Sequence, residues 1–317
     1  MGKNKKKIIP IFFVTDDNYV PFLCVSLKSI TMNASKEFNY KVHILNVGLS
    51  RKSKKDIKSV LTKNFDIEFN DVSKQIKSVC DNFNTKDLYS KTNYYKLLIP
   101  EIFNQYDKAI YLDTDTIVLN DISKLYNIDI GNNMVGAIAD ETVNSVPEFI
   151  EYVNNYLGIK ESRYFNAGVL IMNLKVLREE HFEEKFISLL KNIKFTVAHD
   201  QDYLNVICKD KVYYLPNNWN KMPFECNKIP VEKINLVHFN LSFKPWHYDG
   251  VLYEEEFWKY AVLTDVLNDI FAIKNDFNDI KKLNDFACGE KLKQMAIEQA
   301  REANTFKNMI VSGQILI

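Results

Sequence analysis

Ile110-Tyr111-Leu112-Asp113-Thr114-Asp115-Thr116-Ile117-Val118 is the stretch on which the fold turns. One apolar run leads into two carboxylates separated by a single residue, and a second apolar run leads away. In extended backbone, residues two apart share a face with Cα atoms roughly 6.6 Å apart, so both side chains can converge on one hard cation. Like charges this close need a counterion. A bare Asp-x-Asp is otherwise a strand end whose carboxylates are solvated or cap a following helix. The apolar run upstream favours the first reading, because it predicts a buried strand, and α/β proteins bind ligands at the carboxyl ends of such strands.

Outward from this stretch, short apolar runs rich in branched residues recur at Ile8 to Val14, Tyr40 to Val47, Ile67 to Phe69, Met134 to Ala139 and Val169 to Asn173. Segments of helical spacing separate them, one after Pro21 and one from Lys54 to Leu61. The alternation predicts a mainly parallel sheet covered by helices. Phe257, Tyr260, Val266, Ile270 and Phe271 predict one long amphipathic helix from Tyr253 to Lys274, and a second follows around Leu292, Ala296, Ala300 and Ala303. That C-terminal stripe, with Lys281, Lys282, Lys291, Lys293 and Arg301 nearby, offers a peripheral membrane contact. Packing on its own domain or on a second copy, as a homodimer, is favoured, because Asp285, Glu290, Glu298 and Glu302 dilute the basic face.

A chain of 317 residues with 46% hydrophobic residues can bury one sizeable core. Lys and Arg number 41 and so do Asp and Glu, so no net field draws the chain to nucleic acid, and no such partner is expected. Cys24, Cys80, Cys208, Cys226 and Cys288 are scattered, never spaced as a metal pair, and read as buried free thiols of a reducing cytoplasm. Lys3 and Lys5 to Lys7 ahead of Ile8 to Val14 imitate a signal peptide, but Asp16 and Asp17 end the run and no small-residue cleavage site follows. No stretch reaches the length of about 20 apolar residues that spans a bilayer, so the expectation is a cytoplasmic protein, peripheral at the inner membrane face if it meets a membrane at all.

Two further segments carry chemistry. Phe13-Val14-Thr15-Asp16-Asp17-Asn18-Tyr19 closes the first strand with a carboxylate, an amide and an aromatic face, the set that a pyrimidine base needs; an Asx turn accounts for it equally well. Leu236-Val237-His238 is a short apolar strand, followed by Lys244-Pro245-Trp246-His247. Imidazole is an unusual ligand for magnesium and suits manganese, and Lys244 can balance charge that builds on a diphosphate. The Asp113-Thr114-Asp115-Thr116 pattern also resembles the nucleophile motif of haloacid-dehalogenase-type phosphatases, although there it usually ends the first strand.

Together with Arg163-Tyr-Phe-Asn-Ala-Gly-Val-Leu-Ile-Met-Asn173 and His199-Asp-Gln-Asp-Tyr-Leu-Asn205, these motifs resemble glycosyltransferase family 8, the group of bacterial lipopolysaccharide galactosyltransferases and glycogenin. The resemblance covers about residues 8–250 with the motifs in order. It implies a GT-A fold over residues 1–250, with residues 251–317 as a C-terminal helical extension. It further implies retaining transfer of a hexose, glucose or galactose, from a UDP-sugar to a glycan or lipid-linked saccharide. Asp113, Asp115 and His238 would hold Mn2+ or Mg2+. Thr15, Asp16, Asn18 and Tyr19 would meet the uridine, Lys96 and Thr114 the donor, and Lys244 the diphosphate. Asn166, Ala167, Asp200 and Gln201 would surround the sugar and its anomeric carbon, with Asp200, Gln201 and Lys244 as the catalytic set. This chain departs from the family in two places: Asn240, Leu241 and Ser242 occupy an interval where many relatives have glycine, and Lys96 stands where arginine is frequent. A nucleotide-sugar-binding protein without turnover is the non-enzyme alternative.

Overall fold

The computed structural model describes residues 6–77 and 92–315; Lys3, Lys5, Cys80 and the last two residues of the apolar terminus lie outside them. Among the described residues the strands are β1 (Ile8–Val14), β2 (Asn39–Asn46), β3 (Phe65–Asp71), β4 (Ala109–Leu112), β5 (Thr116–Val118), β6 (Val135–Ala139), β7 (Phe165–Met172), β8 (Val212–Tyr214) and β9 (Leu236–His238). The helices that bear on the site and on the C-terminal region are α1 (Val20–Asn33), α2 (Arg51–Ser59), α3 (Glu141–Ser145), α4 (Asp200–Cys208), α5 (Glu254–Ala261), α6 (Leu267–Asp276), α7 (Asp279–Ala300) and α8 (Phe306–Val311).

Seven strands form the central sheet in the order β3-β2-β1-β4-β7-β6-β8. Its pairings are parallel except the two that β7 makes, with β4 and with β6. The mainly parallel α/β expectation is met, with one strand reversed. Side chains alternate across the sheet: Ile9, Ile11 and Phe13 of β1 enter one core, while Phe12 and Val14 enter the other. In β4, Ile110 and Leu112 divide from Ala109 and Tyr111 in the same way. Burial on both faces explains why these strands read as unbroken apolar runs. Each fully buried Ile or Phe contributes about 1.5–3 kcal/mol relative to exposure.

The reversed strand starts at Phe165, four residues before the apolar run the sequence suggests, and thereby takes in Asn166, Ala167 and Gly168. All eight of its residues are buried. It lies between the carboxyl ends of β4 and β6, with Leu112 opposite Val169 and Ala139 opposite Phe165. Asp113 N–H then donates to Gly168 O at 2.8 Å, and Asp140 N–H to Tyr164 O at 2.9 Å. Acids that follow two different strands thus flank Asn166 to Gly168.

Three expectations are corrected. The single helix from Tyr253 to Lys274 is two helices, α5 and α6, broken at residues 262–266. Thr264 Oγ1 donates to Ala261 O at 2.8 Å, and the break turns Val266 inward while Val262 and Leu263 face solvent. Helical periodicity persists across the break because both pieces pack on the same core. Helix α7 is capped by Asn278, whose side chain accepts from Lys281 N–H, and it ends at Ala300, so Ala303 lies beyond it. Of the cysteines, Cys24 and Cys208 are buried, but Cys226 and Cys288 are exposed. From α7, Leu292, Met295 and Ala296 pack on the core that holds Phe12 and Tyr111, and Phe306 of α8 joins them; Ala300 is buried as well. Ile280, Leu283 and Phe286 stay exposed. No helix among the described residues is long and apolar enough to cross a membrane.

Candidate active site

The acids of the opening stretch do not sit in extended backbone. A turn at residues 113–115 separates β4 from β5, and Thr116 Oγ1 closes it by donating to Asp113 O at 2.8 Å. Strand β5 leaves the central sheet and pairs with β9, where Thr116 is opposite His238. Phe239 N–H donates to Asp115 O at 3.0 Å, so the two chain segments are pinned beside the acids. The carboxylates converge through the turn and the second sheet, not through strand alternation.

The result is a cluster of Asp113, Asp115 and His238 whose ligand atoms all lie within 4.8 Å of one another. His238 Nε2 is 3.2 Å from Asp115 Oδ1 and 3.9 Å from Asp113 Oδ2. His238 is 1% exposed, and neither its Nε2 nor Asp115 Oδ1 has a hydrogen-bond partner. A buried orphan pair of this kind costs free energy unless a shared cation satisfies both atoms. Two carboxylates and one imidazole form a donor set suited to a divalent transition metal. Gly168 is required for the approach: a Cβ there would fall 2.3 Å from His238 Cε1 and 2.6 Å from Asp113 Oδ2.

Two buried lysines balance the acids. Lys244 bonds Asp115 Oδ2 and Phe239 O. Burial alone would raise the Asp115 carboxyl, but Lys244 and then His238 outweigh it and hold the group well below the ordinary carboxylate range. Lys96 Nζ lies 2.9 Å from Asp200 Oδ2, 3.4 Å from Asp113 Oδ1 and 3.2 Å from Ala167 O, with the Tyr111 ring 4.5 Å away. Burial opposes its charge, yet Asp113 and Asp200 prevail and raise its pKa. Tyr111 Oη donates to Asp113 Oδ1 at 2.7 Å.

Helix α4 presents Asp200 and Gln201 in its first turn, after His199 in the left-handed region at φ 48°. Gln201 Oε1 accepts from Ala167 N–H at 2.9 Å and Asn166 Nδ2 at 3.3 Å, while its Nε2 donates to Asp140 Oδ2 at 3.1 Å. Asp202, the next acid, points into the core, where it accepts from Tyr164 Oη at 2.7 Å, Tyr152 Oη at 2.9 Å and Ala198 N–H at 3.0 Å. Burial pushes its carboxyl up to about 6 against these donors.

Two cavities meet at Asp113, Asn240 and Leu241. One is lined by Thr15, Asp16, Tyr19, Thr114, Asp115 and Lys244. The other is lined by Lys96, Asn166, Ala167, Asp200 and Gln201, with Asp140 and Gly168, and beyond them by Phe149, Tyr152, Val197 and Leu292 of α7. Two candidates line neither cavity: His238 is buried beside Asp113 and Asp115, and Asn18 lines a neighbouring groove beside Trp246. Asp16 Oδ1 accepts from Asn18 N–H at 2.9 Å and Tyr19 N–H at 3.2 Å, the Asx turn that competes with a base-binding role. His247 stacks on Phe277 at 3.9 Å, and burial pushes it down to about 4.

Sequence reasoning missed three of these residues. Asp140 follows an apolar run as Asp113 does, so the same strand-end signal was present in Met134 to Ala139. Asn220, 2.9 Å from His238 Nδ1, carries no sequence signal. Leu241 was noted only as a departure from glycine, and it holds the left-handed backbone that favours glycine, at φ 58°.

Comparison with known proteins bears on the family and the fold. The sequence profile of glycosyl transferase family 8 matches residues 10–250. A putative glycosyltransferase of Haemophilus influenzae is 31% identical over 251 residues, covering 78% of this chain and 72% of its own. The lipopolysaccharide 1,2-glucosyltransferase of Escherichia coli is 25% identical over 286 residues, covering 82% and 79%. Among solved structures, the galactosyltransferase LgtC in complex with donor and acceptor sugar analogues superposes with a TM-score of 0.65 at 25% identity, covering 81% of this chain and 96% of that one.

Proposed function

This chain belongs to glycosyl transferase family 8 and is a glycosyltransferase of GT-A fold, and we propose that it moves a hexose, glucose or galactose, from a UDP-sugar to a glycan or lipid-linked saccharide with retention at the anomeric carbon. The observation that carries the reading is the orphaned pair of His238 Nε2 and Asp115 Oδ1, set beside Asp113 at the junction of the two cavities. Family membership removes the phosphohydrolase alternative.

Asp113, Asp115 and His238 would hold Mn2+, or less readily Mg2+, whose chemistry is to neutralise charge on the diphosphate as a Lewis acid. Thr15, Asp16, Tyr19 and Thr114 bind the uridine side of the donor in this reading, with Asn18 at its margin. Lys244 exchanges Asp115 for the leaving diphosphate, where a buried ammonium stabilises developing negative charge. Lys96 pairs with both Asp113 and Asp200 and holds them in place. Asn166, Ala167 and Asp200 surround the sugar, and Asp140 joins them.

For the chemical step we favour attack on the face that UDP leaves. The acceptor oxygen bonds to the anomeric carbon, the bond from that carbon to the β-phosphate oxygen breaks, and a β-phosphate oxygen takes the acceptor proton. Two features support this over a covalent intermediate. Gln201 Oε1 is already committed to Ala167 N–H and Asn166, and Asp200 is ion-paired to Lys96 at 2.9 Å, which weakens it as a nucleophile. Asp200 then stabilises the positive charge of the sugar. A sugar adduct trapped on Asp200 or Gln201 and seen by intact mass would overturn this step.

The function is tested by calorimetric titration with UDP, with and without Mn2+, on wild type and on Asp113→Asn combined with Asp115→Asn. Manganese-dependent binding lost in the double variant is expected, followed by release of hexose from UDP-hexose, which a binding protein without turnover lacks. No UDP binding with any divalent metal refutes the reading. The extension reading of residues 251–317, a membrane contact and a homodimer rest on the exposed Ile280, Leu283 and Phe286; vesicle co-sedimentation and sedimentation velocity test the last two.

A further inference from the structure

A chain of buried amides joins His238 to the far end of the site, and backbone groups fix its polarity. Gly168 N–H can only donate, and it donates to Asn166 Oδ1 at 2.9 Å. Asn166 Nδ2 faces Asp140 Oδ2 at 3.0 Å, and Asp140 Oδ1 accepts from Val143 N–H at 3.0 Å at the start of α3. The carboxamide of Asn166 is therefore oriented from both ends. Its Oδ1 takes a second hydrogen bond, from Asn220 Nδ2 at 2.9 Å, which leaves Asn220 Oδ1 facing His238 Nδ1 at 2.9 Å. An amide oxygen only accepts, so the histidine must carry a proton on Nδ1. A neutral imidazole protonated there has its lone pair on Nε2, the atom that faces Asp113 and Asp115.

Asn220 and Asn166 are 1% and 2% exposed, so water does not compete for these bonds. The backbone holds Asn220 beside the histidine as well: Lys221 N–H donates to Leu236 O at 2.9 Å, and His238 N–H to Lys221 O at 2.9 Å. A metal-binding histidine needs its other ring nitrogen engaged, both to aim the lone pair and to raise its basicity.

We propose that Asn220 is a positioning residue of the metal centre, accepting the His238 Nδ1 proton and so holding the Nε2 lone pair on the Asp113–Asp115 side. The inference rests on the metal-dependent transferase reading. Through Asn166 the same relay reaches Gln201, so the metal histidine and the second cavity share one rigid hydrogen-bond network.

The test is a titration of Mn2+ in the presence of saturating UDP, with free Mn2+ read by electron paramagnetic resonance. Wild type, Asn220→Leu, Asn220→Asp, His238→Asn and the double variant Asn220→Leu with His238→Asn are compared, each after thermal unfolding has established that it folds. Asn220→Leu removes the acceptor and should weaken Mn2+ binding by about 10–100-fold. Asn220→Asp keeps an acceptor for Nδ1–H but sets an oxygen against Asn166 Oδ1 where a donor stood, so it should weaken binding less than Asn220→Leu does. In the His238→Asn background, Asn220→Leu should weaken binding no further; a merely structural asparagine would give additive losses. Wild-type affinity in Asn220→Leu, equal losses in Asn220→Leu and Asn220→Asp, or additivity in the cycle overturns the inference and leaves the transferase reading standing. Failure of wild type to bind Mn2+ with UDP overturns both.

Discussion

Gly168→Ala is the sharpest probe of the site, because one carbon must be placed where two site residues already are. The new Cβ would stand 2.3 Å from His238 Cε1 and 2.6 Å from Asp113 Oδ2, against an ordinary approach of about 3.5 Å between carbons. Relief requires the imidazole to retreat by roughly 1 Å, and its surroundings do not allow it. His238 is 1% exposed, Asn220 holds its Nδ1 at 2.9 Å, and Thr116 is its partner across the β5–β9 ladder. Strand β7 cannot yield instead, since it is paired on both sides. Overpacking of this kind costs about 1–3 kcal/mol of stability, while metal–nitrogen distances tolerate only about 0.2 Å. Gly168→Ala should therefore fold with a lowered melting temperature and lose manganese-dependent UDP binding by calorimetry. Gly289→Ala, where an added Cβ meets nothing within 4 Å on α7, is the control, and there a stability gain of about 1 kcal/mol from helix propensity is expected. Unchanged manganese-dependent UDP affinity in Gly168→Ala would refute the geometry from which the triad was argued.

Three other outcomes follow from the geometry of the folded chain. Asp202 has a folded value of about 6 against an ordinary 3.8, so the native state holds its proton more tightly, and its contribution to stability falls as pH rises from about 4 through 6, by about 3 kcal/mol. The stability of wild type minus that of Asp202→Asn, from chemical denaturation at several pH values, should decline across that window, and a flat difference contradicts the burial argument. Lys96→Met strands Asp113 and Asp200 without their shared cation and should cost about 3–5 kcal/mol in the same assay, with Lys96→Arg recovering much of it; equal losses would show that packing and not charge is at stake. At Leu241, φ 58° makes Leu241→Val less stable than Leu241→Gly, since a β-branched side chain tolerates the left-handed region worst, and the reverse order in denaturant midpoints would put the loop in another conformation.

The parallel part of the sheet was legible because β1, β2 and β4 are buried on both faces, so their apolar runs needed no periodicity to stand out. Asp113 and Asp115 were legible because acids that end such runs have few other reasons to be there. The way they converge was not, because Asp-Thr-Asp looks the same in a strand and in a turn, and the choice was made by Thr116 and by a pairing with His238 more than a hundred residues away. The α5–α6 break was hidden because both helices present apolar residues to one core, and spacing does not register a change of axis. Asn220 was invisible for a different reason: an asparagine between Trp219 and Lys221 is ordinary in sequence, and its role exists only through the partners that backbone donors orient around it.

The reversal of β7 divides the labour of the site mechanically. β1, β4 and β6 end at the site and hand Asp16, Asp113 and Asp140 to the turns and the helix start that follow them. β7 starts there, and its first residues are clamped at once between β4 and β6, like a jaw bolted to the bench while the opposing jaws travel. Asn166 to Gly168 therefore form the fixed reference against which the acid-bearing loops can be remodelled, and a change of sugar or acceptor need not disturb the histidine that leans on Gly168.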